Sequence, residues 1–380
     1  MKKVKLFIPG PVELSQEVLL AMAQPPIGHR TPDFEEMLVQ CWNDLRDIFQ
    51  TKNDAILITG SGTAAMDAAV ASTIQEGEEF ICIGGGKFGE RFKDIVQSYG
   101  GMAKEVKVEW GKTADAAQIE KVVSQSDAKA ITLTHNETST GVLHSAEAIG
   151  RIAKKYDLLF IMDAITSLGG DYVKTDEWGV DICIAGSQKC LAAPPGLAML
   201  SVSEKAWEVI LNNKTRNYYL NLASYKKSLD KKTTPFTPSV TLVYGLHAAL
   251  QALKKEGLEK RIKRHRLLAK AAREAIKAVN LELFPSESIA SNTVTAIKIP
   301  HGLTDGDIKE RLNRDFGILL AGGQEHLKGK IFRIGHMGNI SYLDLMEVIS
   351  ALEVVLKRAG HKFELGSGVK ALVKAIAETI

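Results

Sequence analysis

Two charged residues stand where apolar runs end. Residues 158–163 read Leu-Leu-Phe-Ile-Met-Asp and close on Asp163, and residues 181–189 pass from Asp181 through Ile182, Cys183, Ile184 and Ala185 to Gln188 and Lys189. In open α/β sheets ligands bind outside the carboxyl ends of the strands, so Asp163 and Lys189 are expected to face one crevice. A lysine partly withdrawn from water has a lowered pKa, and its neutral amine can form an imine with a carbonyl compound. A carboxylate in the same place can keep a pyridinium nitrogen protonated, which lets the ring accept electrons from a carbanion. Taken singly, Asp163 could cap the segment that follows it and Lys189 could be a solvent-facing loop residue.

A third element bears on that choice. Residues 60–65, Gly-Ser-Gly-Thr-Ala-Ala, and residues 84–89, Gly-Gly-Gly-Lys-Phe-Gly, each follow an apolar run and open an amphipathic segment. Such a turn aims backbone N–H groups at the start of a helix toward a phosphate. A dinucleotide site would add an acidic residue at the end of the next strand. After Gly60 the acids Glu78 and Glu79 fall at the beginning of that strand, and its end carries Gly84. After Gly84, Glu105 and Glu109 flank a short polar strand without an acid at its tip. Tight packing turns are the alternative account of both segments. What stands is a site for one phosphate group at Ser61, Gly62 and Thr63.

The surrounding pattern supplies elements to hold these residues. Apolar positions Leu38, Cys41, Trp42, Leu45, Ile48 and Phe49 predict a helix over 35–50. Short apolar runs at 55–59, 80–83, 130–134, 158–162, 181–185 and 197–202 alternate with amphipathic segments at 63–75, 88–99 and 145–156. Runs that are apolar throughout are buried on both faces, so the region from about 50 to 205 is expected to be a mostly parallel sheet covered by helices. Residues 212–239 are polar, Tyr-containing and end in a Pro-rich stretch, and read as a long functional loop. A helical region over 242–278 with a break at 254–257 follows. Beyond it, 294–299, 305–316, 331–334, 341–358 and 364–380 suggest a smaller α+β domain. The expected division is an N-terminal arm at 1–20, a large domain at 21–255 and a small C-terminal domain at 256–380.

The 380 residues carry 48 Lys and Arg against 45 Asp and Glu, a net charge of +3 with both signs interspersed. That balance provides no electrostatic footprint for nucleic acid. The four cysteines lack CxxC spacing and read as buried free thiols in a reducing compartment. The start of the chain is not read as a signal peptide, and no apolar run approaches the ~20 residues that span a bilayer. A cytoplasmic protein without membrane attachment is the expectation. His135, His144 and His336 have no metal-ligand spacing, so no metal is expected.

Seven motifs in register resemble the class V aminotransferases of PLP fold type I, particularly the alanine–glyoxylate, serine–pyruvate and serine–glyoxylate group. They are Pro9-Gly10-Pro11, the run Ile27 to Pro32, Thr59 to Thr63, His135-Asn136-Glu137-Thr138-Ser139-Thr140-Gly141, the run Asp163 to Gly170, Gly186-Ser187-Gln188-Lys189 with Pro194-Pro195-Gly196, and the run Phe332 to Gly338. The resemblance implies a large PLP-binding domain and pyridoxal 5'-phosphate held as a Schiff base on Lys189, which would also move the proton. It implies that Asp163 pairs with the pyridine nitrogen, that Ser61, Gly62 and Thr63 bind the phosphate with help from Gln188, and that Phe88 stacks on the ring. Thr138 or Ser139 would lie near the 3′-oxygen. Arg333 would grip the substrate carboxylate, with Gly10 on the floor of the pocket. Thr237 would reach the phosphate of a neighbouring subunit, which makes the site shared and the protein a homodimer.

The activity so implied is ping-pong transfer of an amino group from serine or alanine to glyoxylate or pyruvate. Aspartate, phosphonate or ureide donors on the same scaffold are alternatives. Sulfur removal from cysteine is disfavoured because no cysteine follows Cys190. A nicotinamide-dependent dehydrogenase built on one of the glycine turns, and a non-catalytic subunit, are the readings from other classes.

Overall fold

The computed structural model describes residues 4–378; positions 1–3 and 379–380, which fall in the expected N-terminal arm and last helix, lie outside the described residues. Among the described residues thirteen strands follow one another: β1 (Lys5–Phe7), β2 (Asp54–Thr59), β3 (Glu79–Ile83), β4 (Met102–Val106), β5 (Ala130–Thr134), β6 (Asn136–Glu137), β7 (Val142–Leu143), β8 (Leu159–Asp163), β9 (Ile182–Gly186), β10 (Leu197–Val202), β11 (Val294–Lys298), β12 (Ile318–Gly322) and β13 (Ile331–Gly335).

Seven of them form one sheet in the order β2-β10-β9-β8-β5-β3-β4. Every pairing is parallel except the two that β10 makes, with β2 and with β9. Alternate residues of each strand feed separate cores. Leu57, Ile81, Leu133, Phe160 and Met162 enter the core on one face. Ile56, Ile58, Phe80, Ile161 and Ile184 enter that on the other. Burial on both faces is why these strands read as continuous apolar runs. The parallel strands share one carboxyl-terminal edge, where Asp163 lies in register with Thr134 on one side and Ile184 on the other.

A second sheet, β1-β12-β13-β11, packs against the helices Leu258–Ala278, Tyr342–Arg358 and Ser367–Ala377 through a core that includes Phe7, Leu268, Phe332, Ile334 and Leu352. β1 pairs in parallel with β12, so the N-terminal segment is tied into a sheet whose other strands come from more than 280 residues later. The break expected near 254–257 is present: helix Val240–Glu256 ends and helix Leu258–Ala278 begins across Gly257, at φ +85°, a value that glycine adopts without a Cβ penalty.

One expectation changes. Residues 212–239 are not all loop: Asn221 caps a helix at Leu222–Leu229 through its side chain, and Leu222 and Tyr225 are buried against the sheet. A spacing of three residues puts both on one helical face, and the docking of that face outweighs the polar composition. The stretch 305–316, to which the sequence pattern assigns no element, forms two wide-turn helical segments, Gly306–Glu310 and Leu312–Phe316. All four cysteines are buried free thiols, as expected.

Candidate active site

At the carboxyl edge of the large sheet the chain folds around a cavity of about 200 Å³, lined by Ser61, Gly62, Thr63, Phe88, Arg91, Thr138, Asp163, Ile165, Thr166, Gln188 and Lys189. β8 delivers Asp163 directly, and the turn after β9 delivers Gln188 and Lys189. Asp163 is 3% exposed, and its carboxylate accepts from the Ile165 amide at 2.8 Å. Burial pushes its pKa up to about 7, because the charged form loses its hydration. For Lys189 the same cause acts in the other direction, and its amine falls to about 8. The ammonium donates to the Pro9 carbonyl. Gly10, at φ +88°, lies against the lysine stem, and a Cβ there would sit 2.7 Å from Lys189 Cδ.

The helix Gly62–Thr73 starts at the cavity wall. Ser61 is its N-cap and makes no capping bond with its side chain, so the positive end of the helix is open to an anion. Arg91 extends this patch by donating to Thr63 Oγ1 at 2.8 Å, and its guanidinium lies 4.7 Å from the Phe88 ring centre.

The second glycine turn is differently employed. Gly86 precedes helix Lys87–Ser98, whose first amides are already taken: Lys87 donates to Ser139 Oγ, and Phe88 and Gly89 donate to Glu137 Oε2. Glu137 is 1% exposed and also accepts from the amide and hydroxyl of Ser139. A Cβ on Gly86 would lie 2.3 Å from the Glu137 carboxyl carbon. This helix end therefore holds the chain's own carboxylate in the place where a dinucleotide phosphate would have to sit. Burial raises the pKa of Glu137, against the donors that lower it.

The expected residues are thus distributed in three ways. Ser61, Gly62, Thr63, Phe88, Thr138, Asp163, Gln188 and Lys189 line one cavity, with Gly10 behind the lysine. Thr138 faces it while the Ser139 side chain turns to Glu137, which separates two residues that the sequence leaves as alternatives. Arg333 adjoins the cavity: it is 6% exposed, donates through Nη1 to the Thr138 carbonyl and through Nε and Nη2 to the Gly322 carbonyl. It makes no ion pair among the described residues, and burial lowers its pKa to about 10, so it is a cation at neutral pH. Thr237 is exposed, does not line this cavity, and lies 3.4 Å from His29 Nε2. Sequence reasoning missed Arg91, Ile165 and Glu137. Glu137 lies inside the motif His135 to Gly141, where the hydroxyls of Thr138 and Ser139 are the more evident signal.

The donor set suits a flat, singly phosphorylated pyridine. Phe88 and Ile165 offer two apolar faces, Asp163 a buried carboxylate, and Ser61 to Thr63 a helix start. Gln188 Oε1 is buried without a partner among the described residues. A Cβ on Gly62 would come within 2.5 Å of Ile165 Cδ1, so a side chain there would fill the cradle.

Comparison with known proteins agrees with this geometry. Residues 16–338 match the family model for class-V aminotransferases. The chain is 48% identical over 371 residues to an uncharacterized aminotransferase of Methanocaldococcus jannaschii, covering 97% of this chain and 96% of that one. It is 41% identical over 380 residues, 99% of each chain, to a soluble hydrogenase 42 kDa subunit of Anabaena cylindrica. A serine–glyoxylate aminotransferase of Arabidopsis thaliana is 33% identical over 374 residues, 96% of this chain and 93% of that one. Among solved structures, the ureidoglycine–glyoxylate aminotransferase of Bacillus subtilis superposes with a TM-score of 0.96 at 33% identity, over 99% of both chains. The architecture is that of the PLP fold type I aminotransferases. The chain belongs to the class-V aminotransferase family, a membership that implies pyridoxal phosphate as cofactor. No helix among the described residues is long and apolar enough to cross a membrane.

Proposed function

We propose that this protein binds pyridoxal 5'-phosphate in the cavity between Phe88 and Ile165 and transfers the amino group of serine or alanine to glyoxylate or pyruvate. The observation that carries the reading is the convergence of Asp163 and Lys189, from neighbouring strands, on one small cavity that opens at a helix start. When bound, the cofactor supplies an electron-accepting ring that acidifies the Cα–H bond of an attached amino acid.

The chain's own groups then have separate tasks. Ser61, Gly62 and Thr63, with Gln188, hold the phosphate at the positive end of their helix. Asp163 keeps a proton on the ring nitrogen, and that cationic partner offsets the desolvation of its carboxylate. Phe88 and Ile165 fix the ring plane, and Thr138 offers a hydroxyl beside it. Lys189 holds the cofactor covalently and, once released, its Nζ takes the proton from the substrate Cα. Its lowered pKa leaves a useful fraction of neutral amine near neutral pH. Arg333, a buried cation with no carboxylate partner among the described residues, receives the substrate carboxylate. Gly10 and Pro9 close the pocket near the lysine, which favours small side chains.

Thr237, which does not line the cavity of its own chain, is assigned to the phosphate of a second copy on the resemblance to the class V aminotransferases alone. This makes a homodimer with shared sites part of the reading. Glyoxylate as acceptor is supported by the serine–glyoxylate and ureidoglycine–glyoxylate relatives. A matrix of donors (serine, alanine, aspartate, ureidoglycine) against glyoxylate and pyruvate tests the proposal. Highest turnover with serine or alanine is expected; turnover confined to aspartate or a ureide donor would replace the donor assignment.

A further inference from the structure

Lys189 and Arg333 must meet the same small substrate, yet the first follows a strand of the large sheet and the second lies in a strand of the other sheet. Segments next to both are contacted from the junction between the two long helices. Glu256 is the last residue of helix Val240–Glu256, and Arg261, Arg264 and His265 lie in the first turns of helix Leu258–Ala278. The Glu256 carboxylate accepts from both arginines: Arg261 Nη1 at 2.6 Å, and Arg264 Nε at 2.7 Å. One partly buried carboxylate thus holds two guanidinium groups across the Gly257 break.

Each arginine then reaches a different part of the site. Arg261, 3% exposed, donates through Nη2 to the carbonyl of Cys190, the residue after the lysine, at 2.7 Å. Arg264 donates to the carbonyls of Gly338 and Ile340, in the segment that leaves β13 beyond Arg333, at 2.9 and 2.8 Å. His265 completes the contact. Its Nε2 accepts from the Gly338 amide at 3.0 Å, and its Nδ1 lies 2.8 Å from the Arg261 carbonyl. Only a neutral imidazole carrying its proton on Nδ1 satisfies both neighbours. Gly338 in turn lies against the turn that follows Lys189: a Cβ there would be 3.5 Å from the Lys189 carbonyl and 3.4 Å from Ala192 Cβ.

We propose that Glu256, with Arg261, Arg264 and His265, is a positioning unit that fixes the Lys189 turn relative to the strand of Arg333 and so sets the geometry of amino-group transfer without touching substrate. The assignment rests on the function proposed above for Lys189 and Arg333. Guanidinium forks suit the task, since each bridges a carboxylate and a backbone carbonyl in one plane, which a lysine cannot do.

The test uses Glu256→Gln, which keeps the shape and removes the charge, and Arg264→Lys, which keeps the charge and removes the fork. Amide exchange is followed in the cofactor-free protein at Ala192, whose N–H bonds the Lys189 carbonyl, and at Gly338. Exchange at both sites should rise together by about tenfold or more in either variant, while amides of β8 stay protected. In the reconstituted enzymes kcat/KM should fall by about tenfold or more, with cofactor affinity retained. Exchange unchanged at both sites in two folded variants, or faster at only one of them, would overturn the proposal. Absence of transamination in the unaltered protein would instead refute the functional reading and leave the exchange result to stand alone.

Discussion

Arg333 Nη1 donates to the carbonyl oxygen of Thr138 at 2.8 Å, and this bond joins β13 of the second sheet to the wall of the cavity beside Lys189. Nε and Nη2, on the other edge of the guanidinium, both donate to the Gly322 carbonyl. The cation is therefore held in place by backbone before any ligand arrives. A group so prepared loses little conformational freedom when a carboxylate reaches it.

Replacing Arg333 by Lys keeps the charge and forfeits the fork. We expect kcat/KM for amino donors to fall by about a hundredfold, mostly through KM, because a charge-assisted bidentate contact contributes about 1.5–3 kcal/mol. Cofactor absorbance should be unchanged. Steady-state kinetics across several α-amino acids check this; wild-type values for all of them would remove Arg333 from substrate binding.

Gly10→Ala introduces a Cβ at φ +88° and 2.7 Å from the Lys189 stem. Backbone strain of this kind costs about 1–3 kcal/mol, so the melting temperature should drop by a few degrees. Attachment of the cofactor should suffer more than the fold does, because the clash falls on the lysine itself. Melting curves and the yield of a stable visible band, measured together, separate the two effects.

The pKa of Asp163 gives a pH dependence with a definite sign. A carboxyl whose folded pKa is raised from 3.8 to about 7 binds its proton more tightly in the folded protein. Its contribution to stability is complete below the unfolded pKa and is lost as pH rises through about 7. In the cofactor-free protein the melting temperature should thus decline more steeply between pH 4 and pH 7 in the wild type than in Asp163→Asn. The difference between the two curves isolates this residue from the other buried titratable groups. Parallel curves would reject the assignment.

Glu137→Gln replaces one of two acceptor oxygens by an NH2 group, so that two of four donors lose their acceptor: the amides of Phe88 and Gly89 on Oε2, or the amide and hydroxyl of Ser139 on Oε1. A buried donor left without an acceptor costs about 1–3 kcal/mol, and a destabilisation of that order is expected by chemical denaturation. The Phe88 ring should also lose its fixed position over the cofactor, seen as a broadened visible circular dichroism band. A variant as stable as wild type with an unaltered band would show that Glu137 does not anchor the helix start.

What the chain discloses without coordinates follows from the range of the interactions involved. Asp163 and Lys189 were legible because both end apolar runs buried on two faces, a pattern set by local sequence. The glycine turn at Ser61 was legible for the same reason. Glu137 was not: nothing local distinguishes a carboxylate that caps a helix some fifty residues away from one on a surface loop. The strands Lys5–Phe7 and Ile318–Gly322 escaped notice because both are short and they pair with each other across about 310 residues, only the end of the second meeting Ile331–Gly335 nearby. Tyr225 and Leu222 hid in a polar stretch whose helix depends on docking against the sheet.

Everything proposed for the site depends on Lys189 holding the cofactor. Reduction of the reconstituted protein with borohydride, followed by peptide mapping, tests it most directly. A yellow protein whose phosphopyridoxyl group maps to Lys189 alone is the expected result. A colourless protein that cannot be reconstituted, or a label on any other lysine, would contradict it.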